Sequence, residues 1–234
     1  MKKKILAIIP ARIGSKGLKK KNLRKIGGKT LVQHTIDVIR KSKYITNIAI
    51  STDSKVLKNI AKKNKVWCEK LRPKKYSTDK ISTYSAIRFV IENIIVKPDI
   101  IIELHPTYIF RKASTVDKAI QLIMKNKKFD SLLSLKEIND TSHPSFMISL
   151  KNQVINYKKS PISFNRHFLS KKYKSLGYLL ISTYESFIKN RSMIGKKCFG
   201  YNISCNIESL DINDKLDFDF AKFIYNKYDY RDKT

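Results

Sequence analysis

Arg12, Gly14, Ser15, Lys16, Gly17, Lys19, Lys20 and Lys21 crowd into one short stretch of the chain. Glycines let backbone N–H groups approach an anion closely, and the surrounding cations neutralise charge that backbone dipoles only partly offset. The chemistry such a set performs is the binding of phosphate. A plainer reading competes with it, a solvated basic loop in a very basic protein. No G-x-x-x-x-G-K-[ST] can be written across the stretch and no G-x-G-x-x-G follows it, so neither a P-loop nor a dinucleotide fingerprint is present. What must position the loop is the run before it. Ile5 to Ile9 is apolar and rich in β-branched residues, which reads as a buried strand, and Pro10 ends it.

The elements that follow alternate. Leu31, Val32, Thr35, Ile36, Val38 and Ile39 recur at helical spacing, with Arg40 and Lys41 where cations suit a helix C-terminus. His34 on this helix reads as a structural histidine. Ile45 to Ser51 gives a second strand, and Thr52, Asp53 and Ser54 supply N-cap chemistry for a helix through Asn64. A helix is expected from Ser82 to Ile95, with Asp79 or Ser82 as its cap. Asp99 to Leu104 is a strand with a continuous apolar core, which fits a central, doubly covered position. Helical spacing returns at Val116, Ile120 and Ile123. Ser131 to Leu135 and Tyr173 to Ile181 read as further strands, and Ser209 to Asp214 reads as strand and turn before a C-terminal helix. Strand, helix, strand, helix points to a parallel sheet covered on both faces, whose ligands sit at the carboxyl ends of the strands.

The chain has 234 residues, enough for one sizeable core, and a single domain is expected over 1–234. Its formal net charge of +30 comes from 49 Lys+Arg against 19 Asp+Glu. That excess alone would suit nucleic acid or an anionic surface. It is spread along the whole chain and dominated by lysine, beside abundant Ile, Asn and Tyr, which fits a coding bias better than a binding face. No nucleic-acid recognition module accompanies it. Cys68, Cys198 and Cys205 match no metal or C-x-x-C pattern and read as reduced thiols. The apolar run near Met1 is too short for a signal segment, and no stretch approaches the roughly 18 apolar residues of a membrane span. A cytoplasmic protein with no membrane association is expected.

Pro10-Ala11-Arg12-x-Gly14-Ser15-Lys16-Gly17-x-x-x-Lys21-Asn22-Leu23 resembles the signature that opens the CMP-sugar synthetases, specifically the acylneuraminate cytidylyltransferases. The resemblance implies a three-layer α/β/α domain of the nucleotide-diphospho-sugar transferase type, with a mostly parallel Rossmann-like sheet and a small dimerisation arm. It implies that Ala11, Arg12, Gly14, Ser15, Lys16 and Asn22 contact CTP, with Arg12 and Lys21 on its phosphates. Ile13 stands where many relatives have Gly. Leu71-Arg72-Pro73 and the Ser77-Thr78-Asp79-x-x-Ser82-Thr83 stretch resemble elements lying over cytosine and ribose, making Arg72, Ser82 and Thr83 candidates for the base and sugar edges.

The sugar side departs from the family. Where relatives carry L-Q-P-T-S-P-L-R, this chain has Leu104-His105-Pro106-Thr107-Tyr108-Ile109-Phe110-Arg111. The resemblance implies sugar contacts from His105, Thr107, Tyr108, Arg111, Gly177 and Arg166, with Tyr108 adding bulk, while His105 also reads as a side chain that simply packs. Arg166 reads equally well as a solvated side chain. Leu176 replaces a family Asn, which removes an amide and again suggests a different acceptor, of legionaminic or pseudaminic type. Thr141-Ser142-His143-Pro144 resembles the family's H-H-P, and 140–175 is expected to be the arm of a homodimer. The family's D-I-D metal pair is Asp211-Ile212-Asn213 here. Asp211 and Asn213 are the implied Mg²⁺ ligands, the amide without charge, with Asp214 as a possible replacement.

The reaction implied is transfer of CMP from CTP to the anomeric hydroxyl of an acidic nine-carbon sugar, with Lys21, Arg12 and Asp211 as catalytic residues. No strong general base is evident in the sequence. The competing expectations are a weak or inactive nucleotide-binding descendant, for which Asn213 speaks, and a basic nucleic-acid-binding protein.

Overall fold

A computed structural model of the chain describes residues 3–78, 82–138, 142–147, 149–151, 154–156 and 170–228. Its strands are β1 (Ile5–Pro10), β2 (Lys25–Ile26), β3 (Lys29–Thr30), β4 (Asn47–Ser51), β5 (Ile100–Glu103), β6 (Ser131–Ile138), β7 (Ser149–Lys151), β8 (Val154–Asn156), β9 (Lys172–Thr183) and β10 (Cys198–Asn202). Its helices are α1 (Leu31–Arg40), α2 (Lys55–Lys63), α3 (Thr83–Ile91), α4 (Ala113–Lys125), α5 (Tyr184–Asn190) and α6 (Lys215–Lys227).

The main sheet runs β10-β6-β9-β5-β1-β4. β1 pairs in parallel with β4 and β5, and β10 with β6, while β9 is antiparallel to both its neighbours. In register, Ile8 stands opposite Ala49 on one side and Glu103 on the other. Alternate residues of β1 then fill opposite faces. Ile5, Ala7 and Ile9 pack with α1, α2 and α4, while Leu6 and Ile8 pack with α3 and α5. This is the expected three-layer α/β/α arrangement. Each of these Ile and Leu side chains is at most 2% exposed, a burial worth about 1.5–3 kcal/mol apiece. A smaller cluster joins α6 to Leu18, Ile26, Leu31, Phe110 and Ile212. His34 lies buried beside it, its Nε2 2.9 Å from the Ile26 carbonyl and its ring edge-on to Tyr225, which is the structural place expected. Among the described residues no helix is long and apolar enough to cross a membrane.

Two features differ from the sequence reading. Ser209 to Asn213 joins no ladder; its backbone hangs on Ile212 N–H donating to the Thr107 carbonyl and Asn213 N–H to Asp217 Oδ2. The last strand of the sheet is instead β10. The cap of α6 is Asp214, which forms a reciprocal capping box with Asp217. α3 ends at Ile91, where the Asn93 amide turns back to the Phe89 carbonyl.

β4 and β5 flank β1 on opposite sides, so the loops leaving β1 and β5 diverge at the carboxyl end of the sheet. A crevice opens there, at the point where strand order reverses.

Candidate active site

The loop leaving β1 is tied down at four places. Ala11 N–H donates to the Ser51 carbonyl (2.9 Å), Ile13 N–H to Asp53 Oδ1 (2.9 Å), and Asn22 Nδ2 to the Arg12 carbonyl (2.9 Å). Asp53 is thereby drawn away from the α2 N-terminus, which Ser54 caps by accepting from Leu57 N–H. The fourth tie is steric. A Cβ on Gly17 would lie 2.5 Å from the Asn213 carbonyl oxygen, so only glycine lets the loop meet the Asp211–Asn213 segment this closely. Lys20 then adopts a left-handed conformation (φ 54°) ahead of a 3₁₀ turn at Lys21–Leu23. For a non-glycine residue that conformation costs on the order of 1 kcal/mol, and here it sets the direction in which Lys21 leaves the loop.

Arg12, Ser15, Lys16, Gly17, Lys21, Asn22, Arg72, Ser82, Thr83, His105, Thr107, Asp211 and Asn213 all line one cavity of about 560 Å³ at the crevice. Most of the residues singled out in the sequence are therefore brought together. Burial pulls the Lys21 ammonium below the ordinary lysine value, and Asp211 and Asp217 only partly oppose this. Burial likewise lowers the Arg72 guanidinium, with Asp53 favouring its charge and Arg12 opposing it. Arg72 Nε donates to Ser77 Oγ (3.1 Å) and Arg12 Nη1 to the Ser77 carbonyl (3.5 Å), so one turn orients both guanidiniums. Like charges held this close in a partly desolvated crevice are relieved by a polyanion. Tyr76, Ser77 and Thr78 also line the cavity. Ser77 and Thr78 belong to the same stretch as Ser82 and Thr83, the two residues the resemblance singles out there.

Several expected contacts lie elsewhere. Ala11 is fully buried beneath the loop, and a side chain on Gly14 would meet open space, so neither is on the cavity wall. Tyr108 and Arg111 do not face the cavity either, because the turn after β5 rotates both side chains into the core. Arg111 is 2% exposed, its Nε and Nη2 donating to the Tyr178 carbonyl and Nη2 also to that of His105. Burial depresses its pKa to about 10, with Tyr178, Tyr108 and Asp211 opposing the shift. Tyr108 accepts from Gly177 N–H, and burial together with the charge of Asp211 pushes its phenol up. Both therefore hold up the wall from behind. Leu176 points into the core, and Gly177, on the opposite face of β9, backs onto the His105 ring. Arg166 and Asp79 lie outside the described residues, as does half of the 140–175 arm. The base of that arm is anchored by His143, buried, with Nε2 2.9 Å from the Ser170 carbonyl.

Two buried side-chain atoms among the described residues have no hydrogen-bond partner, Arg111 Nη1 and Asp211 Oδ1. No group of three or more His, Cys, Asp and Glu side chains among the described residues is placed to hold a metal. Mg²⁺ asks for less, since it keeps several waters and is commonly bound by one or two protein oxygens plus substrate phosphate. Asp211, with an unsatisfied oxygen, and Asn213 beside it on the cavity wall fit that demand. Asp214, committed to capping α6, is off the wall and does not replace Asn213. Missed altogether in the sequence is Glu103, fully buried at the end of β5, its Oε1 2.7 Å from His105 Nε2. It sits in an apolar run that reads only as strand.

A family model described as cytidylyltransferase matches residues 6–204. The chain belongs to the cytidylyltransferase family. It is 30% identical over 220 residues to the CMP-N,N'-diacetyllegionaminic acid synthase of Legionella pneumophila, covering 92% of this chain and 93% of that one. It is 28% identical to the N-acylneuraminate cytidylyltransferase of Escherichia coli O18:K1:H7, where 97% of this chain spans only 53% of the relative. Against the pseudaminic acid cytidylyltransferase of Campylobacter jejuni identity is 25%, with 95% and 96% covered. Among solved structures, CMP:2-keto-3-deoxy-manno-octonic acid synthetase complexed with CTP superposes with a TM-score of 0.71 at 16% identity, over 96% of this cytidylyltransferase and 99% of that chain. The likeness to that structure is one of fold.

Proposed function

We propose that this cytidylyltransferase moves CMP from CTP to the anomeric hydroxyl of an acidic, sialic-acid-like nine-carbon 2-keto-3-deoxy sugar, releasing pyrophosphate. One observation carries the reading: Arg12, Lys16, Lys21 and Arg72 converge with Asp211 on a single cavity in a chain of this family. Phosphoryl-type transfer needs mainly positioning and neutralisation of developing charge. Arg12, Lys16 and Lys21 bind the triphosphate on the β1 side. Ser82 and Thr83 at the start of α3, with Arg72, take the nucleoside. His105 and Thr107 after β5 face the acceptor. Asp211 and Asn213 hold Mg²⁺, which when bound offsets phosphate charge. The relatives named for legionaminic, pseudaminic and N-acylneuraminic acids support a nonulosonic acid as acceptor, and His105 in place of the family glutamine favours one other than ordinary sialic acid. We further propose action in the cytoplasm as a homodimer through the 140–175 arm, a state that light scattering after gel filtration reads directly.

The test is to incubate the protein with CTP, Mg²⁺ and a panel of nine-carbon keto acids, following pyrophosphate release and CMP-linked product. Turnover with at least one acid is expected, and Lys21→Ala should abolish it while leaving the circular dichroism unchanged. CTP binding by calorimetry without turnover on any acid would refute the reading.

A further inference from the structure

The proposed reaction leaves Glu103 without a role, although a carboxylate whose side chain is 1% exposed demands hydrogen-bond donors. Thr83 Oγ1 gives Oε2 a long contact at 3.5 Å, and His105 Nε2 gives Oε1 a close one at 2.7 Å. A partner that only accepts fixes the imidazole proton on Nε2 and leaves the Nδ1 lone pair free. Nδ1 has no hydrogen-bond partner among the described residues and is not among the buried orphan atoms, so it is reachable from outside. Gly177 keeps it so. A Cβ there would stand 2.9 Å from Nδ1, and the hydrogen in its place leaves the approach open. The ring shares its cavity with Arg12, Lys21 and Asp211. Around it, α3 contributes only the Thr83 hydroxyl and β9 no charge at Gly177. Arg111 Nη2 touches the backbone carbonyl of His105, and Tyr108 and Asp211 stand on the following turn and the facing loop.

We propose that His105 is the general base of the transfer and Glu103 the residue that positions it, an inference that rests on the cytidylyltransferase reading above. Nδ1 takes the proton of the anomeric hydroxyl as that oxygen forms its bond to the α-phosphorus of CTP. The bond from the α-phosphorus to the bridging oxygen breaks, and pyrophosphate leaves with its electron pair. The imidazolium then returns the proton to solvent. Glu103 stabilises the imidazolium meanwhile through Nε2–H. The carboxylate missing at position 213 is thus not needed as a base.

Wild type, His105→Gln and Glu103→Gln are to be compared as full chains with CTP, Mg²⁺ and an accepted sugar acid, measuring kcat and KM across pH and CTP affinity by calorimetry. A positioned base contributes about 10²–10⁴-fold, so His105→Gln should lose about that much of kcat, keep CTP affinity within about threefold, and lose the acidic limb of the kcat profile. Glu103→Gln should lose about tenfold and move that limb to lower pH, because a neutral amide no longer stabilises the imidazolium. A purely structural pair would lower thermal stability without reshaping the profile. Survival of the acidic limb in His105→Gln, or a kcat within about threefold of wild type, overturns the assignment. Should either variant fail to fold, Gly177→Ala crowds the Nδ1 edge of the His105 ring and must lower kcat with CTP affinity retained; unchanged kcat overturns the proposal equally. If wild type itself releases no pyrophosphate with any acid, the function proposed above fails and takes the base with it. If wild type turns over and His105→Gln matches it, only the base falls.

Discussion

Replacing Gly17 by alanine tests whether the nucleotide cradle depends on contact between two loops far apart in sequence. The new Cβ would stand 2.5 Å from the Asn213 carbonyl oxygen, where ordinary contact begins at 3.4 Å, so one loop must retreat from the other by about 1 Å. The neighbour is backbone, with no flexible side chain to swing aside. A misplacement of about 1 Å between groups that must act together costs roughly 100-fold in rate, about 2.7 kcal/mol of barrier. Overpacking of this kind also costs about 1–3 kcal/mol of stability, which in a chain of this size lowers Tm by roughly 2–12 °C. Initial rates of pyrophosphate release at saturating CTP and sugar acid read the first effect, and scanning calorimetry the second. Gly14→Ala is the companion, since its Cβ meets nothing within 4 Å. It should keep Tm within about 1 °C, which separates the effect of the clash from that of an added methyl group in the same loop. A Gly17→Ala protein with kcat within about threefold of wild type and unchanged Tm would refute the argument that this contact sets the geometry.

Three further outcomes follow from the geometry. Because burial lowers the Lys21 ammonium from 10.5, kcat/KM for CTP should decline on the alkaline side before an ordinary lysine would titrate, as the charge is lost with rising pH. Lys21→Arg should move that limb upward, since a guanidinium stays charged, and identical limbs in both proteins would remove Lys21 from the phosphate site. Arg111→Ala strips the Tyr178 and His105 carbonyls of their donor and leaves a buried void; a loss of about 3 kcal/mol in urea unfolding is expected, and less than about 1 kcal/mol would show the side chain to be dispensable. Asn213→Asp should tighten Mg²⁺, read by titrating the metal against rate, and an unchanged midpoint would place the ion away from this position.

Much of this architecture is legible in the chain itself, for reasons that differ element by element. β1 and the Ile100–Ile102 part of β5 are short apolar runs because both faces of the sheet are covered, and α1 shows its buried stripe at the helical period. β10 escaped because it is an edge strand with only partly buried side chains, and α5 because seven residues are too few to display a period. The reversed direction of β9 leaves no mark on its composition. At the site, the motif on the β1 loop picks out Arg12, Ser15, Lys16, Lys21 and Asn22, which the fold brings to the crevice, together with Ala11 and Gly14, which it does not. Tyr108 and Arg111 leave the turn after β5 toward the core, and spacing along a loop does not say which way each side chain leaves it. Glu103 was hidden by its neighbours, and only the fold shows that its strand ends against His105. The cap of α6 is legible in Asp214-x-x-Asp217, the spacing of a capping box.

The meeting of Gly17 with Asn213 also orders events during synthesis on the ribosome. The Asn213 half of the cradle leaves the exit tunnel roughly ten to forty seconds after the Gly17 half at ordinary elongation rates. A nascent chain stalled before α6 would present its basic segment without the carbonyl against which it closes. Triphosphate binding should therefore switch on only once α6 has emerged, which makes immobilised nucleotide a reporter of the meeting of the two loops.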